Sequence, residues 1–144
     1  MEENFDRELE AILKLIKLTQ QGVLKWSATK PWGELVENEV TKYTNVFFCD
    51  YENKRLRIFT EKKRKDKPSG IEAGIEAITS QSIFSVSRTY PYWVENLVLE
   101  VTNQNGQSLW RFPNKPATSD LLSAVKYSAA GVKDLLDSLL SKSE

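Results

Sequence analysis

The spacing of apolar residues changes twice along this chain, from a helical period to a strand period and back again. Near the N-terminus apolar residues recur about every 3.6 positions, in the middle they alternate or form short runs, and toward the C-terminus the helical spacing returns. Helices flanking a group of turn-linked strands predict an α+β fold with an antiparallel sheet. At 144 residues the chain has the length of one ordinary domain. We therefore expect a single α+β domain over residues 1–144.

An N-terminal helix is predicted by one apolar stripe and by signals at both ends. Asn4 is a suitable N-cap, and Gly22 predicts the end because glycine enters the left-handed conformation without strain. A short strand is expected at residues 23–26, before a loop at 31–33. The stripe consists of Phe5, Leu9, Ile12, Leu13, Ile16 and Leu18.

Two hairpins account for the middle of the chain. The first runs over residues 40–51 and returns over 56–60, with a turn at 52–54 in which Asn53 tolerates positive φ. Bulky residues on both faces of its outgoing strand indicate a central strand covered on both sides. The second pairs 97–102 with 108–112 through Asn105-Gly106, a dipeptide typical of type I′ turns. Residues 83–87 are a further strand candidate, so we expect five to six strands.

A C-terminal helix is predicted with Ser119 as its N-cap. Gly131 interrupts its apolar stripe, at a cost of about 1 kcal/mol relative to alanine. Either the helix kinks at Gly131 or a new short helix begins near Val132; we favour a single axis with a kink, because the periodicity survives the glycine. The stripe consists of Leu121, Leu122, Val125, Ala129, Val132, Leu136, Leu139 and Leu140.

The segment 61–81 is predicted to be a flexible charged insertion. Residues 61–67 contain no apolar side chain, and Pro68-Ser69-Gly70 follows them. Three isoleucines in residues 71–78 share a helical face, so a short helix or an extended edge is the alternative for that part.

Composition restricts the location of the protein. No apolar run approaches the roughly 20 residues of a membrane-spanning helix, and the acidic first residues lack the basic-then-apolar pattern of a secretory signal. Cys49 is the only cysteine, so an internal disulfide is excluded, which is typical of a reducing compartment. We expect a cytoplasmic protein with no membrane partner.

The residue inventory argues against most enzyme classes. The chain contains no histidine, which excludes Ser-His-Asp and Cys-His constellations and histidine metal sites. One cysteine cannot build a thiolate zinc site, and no Gly-rich phosphate loop is present. Asp50, embedded in a strongly apolar strand, is the remaining candidate for a catalytic acid, although a hairpin-end aspartate explains it more simply. We predict no enzyme, no cofactor and no metal.

Two sets of residues are candidates for binding. Aromatic residues beside prolines in predicted loops suit a partner-binding surface, because they bring contact area at little entropic cost; the alternative is a lid over the core. These are Trp32, Tyr90, Tyr92 and Trp93. A basic segment suits a polyanion; the alternative is a solvated loop that keeps an edge strand soluble. Its residues are Arg55, Arg57, Lys62, Lys63, Arg64, Lys65 and Lys67.

A longer pattern adds a resemblance. It joins residues 18–26, with Gly22 and Trp26, to residues 97–113, with Asn105-Gly106, and to residues 121–140, with Gly131. The pattern resembles a group of small uncharacterised bacterial proteins of cyanobacterial type. The resemblance covers most of the chain and implies an α+β fold, and it carries no activity or site residue.

These observations favour a non-enzymatic protein-interaction or regulatory module. Its partner would be another protein or a second copy, bound through an exposed sheet face or the C-terminal helix. Two alternatives stay open: nucleic-acid or polyanion binding through residues 54–67, and a carboxylate-based enzyme around Asp50. Twenty basic residues balance twenty acidic ones, which removes a global attraction to nucleic acid and leaves only the local segment.

Overall fold

The protein has an N-terminal helix, a five-stranded antiparallel sheet and two C-terminal helices. The structure, a computed structural model, describes residues 6–67 and 89–142. The elements are α1 Arg7–Gln20, β1 Ser27–Ala28, β2 Thr41–Tyr51, β3 Lys54–Lys65, β4 Tyr92–Thr102, β5 Ser108–Arg111, α2 Pro116–Ala129 and α3 Val132–Ser141. The strand order is β1-β2-β3-β4-β5, so that β3 is the central strand. The predicted α+β fold is confirmed.

Helix α1 begins and ends on clear local signals. Asp6 is the N-cap, and its carboxylate accepts a hydrogen bond from the Leu9 backbone N–H at 3.0 Å. Asn4, our predicted cap, lies outside the described residues. At the other end Gly22 has φ of +79°, as predicted for the stop. The strand expected at 23–26 is displaced to Ser27–Ala28, because Leu24 and Trp26 are drawn into the core instead.

The two hairpins use different turns. Glu52 and Asn53 both have positive φ, which is what a type I′ turn requires, and this confirms the prediction for Asn53. In the second hairpin only Gly106 of the Asn105-Gly106 pair has positive φ, so the type I′ prediction is wrong there. The cause is the Asn103 side chain, whose carbonyl oxygen accepts the N–H groups of Asn105 and Gln107 and closes a wider turn.

The two longer helices, α1 and α2, cover one face of the sheet. Alternate residues of the central strands point toward them, including Phe47, Ile58 and Leu99, which are register partners across β2, β3 and β4. They pack against Ile12 and Leu121 of the two longer helices. This layer is the main hydrophobic core.

The second face of the sheet is covered by residues 29–39, which we call the strap. Leu35 of the strap packs on Val46, Phe59 and Val98. The strap is also tied to the second hairpin turn: the Glu34 N–H donates to the Gly106 carbonyl at 3.2 Å, and the Glu34 carboxylate accepts the Ser108 N–H at 2.9 Å. As expected from the bulk on both faces of its strand, β2 is therefore covered on both sides over residues 46–49. It is the second strand of the sheet rather than the central one.

The C-terminal region differs from the prediction in two respects. The predicted N-cap was Ser119, but the N-cap of α2 is Lys115 and the helix begins at Pro116. The earlier start follows because proline is preorganised for the first helical turn. Gly131 has φ of +66° and separates α2 from α3, so that the chain forms two helices rather than one kinked helix. The broken axis follows from the left-handed backbone, which an α-helix cannot include.

Part of the predicted charged insertion is strand. Residues 61–65 continue β3, where β2 and β4 supply backbone hydrogen bonds on both sides, so that no apolar side chain is needed to hold them. The predicted strand at 83–87 and the helix alternative at 71–78 lie outside the described residues. Within 6–67 and 89–142 no helix has the length and apolar character to span a membrane.

Candidate interaction surfaces

The apolar face of α3 is open to solvent. α3 contributes no buried residue, and Leu139 and Leu140 are 59% and 83% exposed. Helical spacing places five apolar residues on one side of α3: Val132, Leu135, Leu136, Leu139 and Leu140. A helix with such a stripe normally buries it against another element. α3 is therefore the clearest candidate for a contact element among the described residues.

The left-handed turn at Gly131 fixes how α3 leaves the domain. The Gly131 N–H donates to the Ser128 carbonyl at 3.1 Å, and its own carbonyl accepts the Leu135 N–H at 3.0 Å. On the polar side of α3, Lys133 and Asp137 form an exposed ion pair at 3.3 Å. The turn thus ends α2 and starts α3 in a new direction. The charged side of α3 carries the Lys133–Asp137 ion pair, and its apolar side is uncovered.

A cleft of about 640 Å³ lies between α1, α2 and the start of α3. Its lining includes Asp120, Asp134, Lys25 and Lys133, so both signs of charge are present. No three metal-ligating side chains come together anywhere in the described ranges, so the acidic residues of the cleft do not form such a cluster.

At one end the sheet is a three-stranded ribbon, which we call the arm. The arm consists of residues 41–44, 60–65 and 92–97, and none of these residues is buried. Its strands are held by continuous register, from Lys63 opposite Thr41 and Val94 to Lys65 opposite Tyr92. The basic side chains that belong to it are Lys42, Lys62, Lys63, Arg64 and Lys65, with Lys67 just beyond.

Only two of these basic groups face a carboxylate. Lys62 lies 3.6 Å from Glu95, and Arg64 Nε lies 3.0 Å from Asp66. Within residues 6–67 and 89–142, the remaining four form no ion pair: Lys42, Lys63, Lys65 and Lys67. The predicted polyanion-binding lysines are thus brought together at one end of the sheet, and Lys42 joins them although sequence reasoning missed it.

Arg57 does not belong to this surface. Its side chain is wholly buried, which makes its inclusion among polyanion-binding residues wrong. Nε donates to Glu100 at 2.7 Å, Nη1 to the Trp32 carbonyl at 3.0 Å, and Nη2 to the Gly106 carbonyl at 3.1 Å. The alternation of β3 points Arg57 away from the helices, and the strap then covers it.

Arg55 and Asp50 neutralise each other at the opposite end of the sheet. They are register partners, and the guanidinium donates to both carboxylate oxygens, at 2.8 and 3.1 Å. The hydrogen bonds from Arg55 hold the pKa of Asp50 below its usual value. A general acid needs a raised pKa, so the structure gives Asp50 the electrostatics of a hairpin-end ion pair.

The candidate aromatics fall in different environments. Trp32 is half-buried in the strap. The centre of its ring lies 4.6 Å from Cζ of Arg57 and 5.6 Å from the centre of the Phe48 ring. Tyr92 and Trp93 belong to β4 rather than to a loop, and Tyr90 packs on Tyr92 at 5.4 Å. Trp93 is the most open of the four, 44% exposed and directly opposite Arg64.

Cys49 lies in the main core. Burial raises the pKa of its thiol to about 12, since the thiolate would lose its hydration. The thiol is therefore neutral at physiological pH, as expected of a small buried hydrophobic residue.

Comparison with known proteins adds no assignment. No protein-family model, no curated protein and no solved structure matches the chain.

Proposed function

We propose that this protein is a non-enzymatic interaction module that pairs with a second copy of itself through the apolar face of α3. The observation that carries the proposal is the exposure of four leucines on one side of that helix, Leu135, Leu136, Leu139 and Leu140. Leaving them in water forgoes roughly 1.5–3 kcal/mol for each side chain that could be fully buried.

The spacing of the leucines suits a second copy. The pairs Leu135-Leu136 and Leu139-Leu140 lie symmetrically about the peptide bond between Asp137 and Ser138. When two copies of α3 pack antiparallel, the first pair of one copy lies opposite the second pair of the other. A contact of this kind repeats itself under two-fold symmetry, which is the commonest arrangement of homodimers.

The charges of α3 lie away from the leucines and balance one another. Lys133 and Asp137 form an ion pair on the polar side, and Asp134 lines the cleft toward α1 and α2. With two acidic and two basic residues over 132–142, the helix offers little attraction to a strongly charged partner.

One short helix provides a small interface. A standard interface buries about 800 Å² on each partner, more than four leucines supply, so we expect a weak dimer with a dissociation constant on the order of 100 μM. Sedimentation equilibrium from about 10 μM to about 1 mM spans this range. The wild-type protein should change from monomer to dimer, and the double variant Leu139→Ser, Leu140→Ser should stay monomeric.

Leu109→Ser is the matched control, because Leu109 is an equally exposed leucine on β5. It should dimerise like the wild type, and circular dichroism should show that the double variant keeps its helix content. A wild-type protein that is monomeric over the whole range would refute the proposal. So would a dimer that survives the loss of both leucines.

A further inference from the structure

Three lysines of the arm, Lys62, Lys63 and Lys65, lie on the central strand of the sheet. Lysines on an edge strand prevent it from pairing with other chains. β3 is paired on both sides along the arm, however: Lys63 is opposite Thr41 in β2 and Val94 in β4. Edge protection therefore does not account for these three charges.

The arm concentrates positive charge in a chain that is neutral overall. Its residues 41–44, 60–65 and 92–97 hold five basic side chains against two acidic ones. Lys42 is placed directly opposite Lys62, and like charges in this position destabilise a sheet. An anionic ligand would remove that repulsion.

An aromatic ring lies among the charges. Trp93 is exposed, and its register partner Arg64 shares its face of the ribbon with Lys62 and Lys42. An exposed indole beside cationic groups is the arrangement on which unpaired bases stack, which contributes about 1–3 kcal/mol per base. A polyanion without bases would make no use of the ring.

From these three observations we infer that the arm binds single-stranded nucleic acid. Trp93 stacks on one base, Lys42 and Lys62 contact the adjacent phosphates, and Lys63 and Lys65 on the other face of the ribbon add to the positive field. The ion pairs of Lys62 and Arg64 oppose this little, because their carboxylates are exposed and ion pairs at the surface are weak. This surface is separate from α3, so the inference does not depend on dimerisation.

Fluorescence anisotropy with a labelled single-stranded oligothymidylate tests the inference. Lys42→Glu is the most informative variant: it should weaken binding at least fivefold while leaving the fold as stable as the wild type or more so, because it replaces a Lys–Lys pair by a Glu–Lys pair. Lys54→Glu makes the same change on β3, at the opposite end of the sheet, and should leave binding unchanged. Trp93→Ala should weaken binding about fivefold or more.

Two further ligands, heparin and a DNA duplex, test whether the bases of the single strand are recognised. Heparin, a polyanion without bases, should bind wild type and Trp93→Ala equally, and a duplex of the same length should bind more weakly than the single strand because its bases are already stacked. Binding of the single strand should also fall about 20-fold between 50 and 150 mM salt if four phosphates are neutralised. The inference is overturned if the oligonucleotide does not bind at 50 mM salt, if the duplex binds as tightly, or if Trp93→Ala has no effect.

Discussion

Arg57 of β3 and Glu100 of β4 are direct register partners and form an ion pair with both side chains wholly buried. The guanidinium also holds the carbonyls of Trp32 and Gly106, and Arg111 approaches the second oxygen of Glu100 at 3.5 Å. The Arg57 guanidinium therefore contacts three separate parts of the chain: the strap, the second hairpin turn and the neighbouring strand of the sheet. A buried pair is costly to desolvate, and it is held here because nearly every polar atom has a partner.

Removing one member of this pair should destabilise the protein strongly. Arg57→Met leaves the Glu100 carboxylate buried without its partner, so we expect the free energy of unfolding to fall by about 3–5 kcal/mol. The double variant Arg57→Met, Glu100→Leu should recover a large part of that loss, because no uncompensated charge remains. Urea unfolding followed by circular dichroism measures both changes.

The control for that experiment is the exposed pair of α3. Lys133→Ala breaks a solvent-exposed ion pair and should change the free energy of unfolding by about 0.5 kcal/mol or less. If Arg57→Met were as mild as Lys133→Ala, Glu100 would have to be solvated in the folded protein, which would contradict the buried pair.

Gly33→Ala should release the strap. A Cβ at position 33 would overlap the carbonyl of Gly106, and φ of +67° adds the strain of a left-handed residue. Gly22→Ala carries the same kind of backbone strain, with φ of +79° and no atom within 4 Å of the added Cβ. We expect about 1–2 kcal/mol of destabilisation for Gly22→Ala and clearly more for Gly33→Ala.

Limited proteolysis distinguishes the two glycine variants. Gly33→Ala should be cleaved within residues 29–39 under conditions where Gly22→Ala and the wild type resist. Equal losses of stability in the two variants would show that the strap can shift away from Gly106 without cost.

The Cys49 thiol should be unreactive in the folded protein. With its pKa raised from 9.0 to about 12, the thiolate fraction at pH 8 falls about a thousandfold relative to an ordinary cysteine. A chromogenic disulfide reagent should therefore react at the rate of unfolding, and quickly once urea is added. Rapid reaction in native buffer would contradict the burial of Cys49.

The raised pKa of Cys49 also predicts how the free energy of unfolding changes with pH. Because the folded pKa lies above the unfolded one, the contribution of the neutral thiol is fully present below about pH 9 and is lost as the pH rises toward about 12. Cys49→Ala should lack this alkaline decline, whatever its own cost in packing. A parallel decline in both proteins would assign the effect to other groups.

Local patterns were enough to predict most elements of the fold. Gly22 marked the end of α1, Asn53 marked a turn with positive φ, and alternation in β4 identified a strand. Each of these signals acts within a few residues, so it can be read from the sequence. The turn at Asn105-Gly106 was predicted incorrectly because a side chain two residues earlier, Asn103, competes for the same backbone groups.

The candidate surfaces depended on contacts between distant residues. Arg57 alternates with apolar residues along β3, as a solvent-facing residue would. It is buried only because the strap covers it, and Trp32 of the strap lies 25 positions earlier in the sequence. Lys42 and Lys62 come together only through the pairing of β2 with β3. The apolar stripe of α3 was visible in the sequence, but its exposure follows from the break at Gly131, which periodicity did not reveal.

The Arg57–Glu100 pair also determines how β3 and β4 slide against each other. Their arm residues are mostly polar on both faces, and such strands specify their alignment weakly. A shift by two residues would keep every side chain on its face, yet it would leave Arg57 opposite Val98 or Thr102 and separate it from Glu100. One buried charge pair near the base of the ribbon thus selects a single alignment for the whole β3–β4 pairing, including the end at which Arg64 lies opposite Trp93.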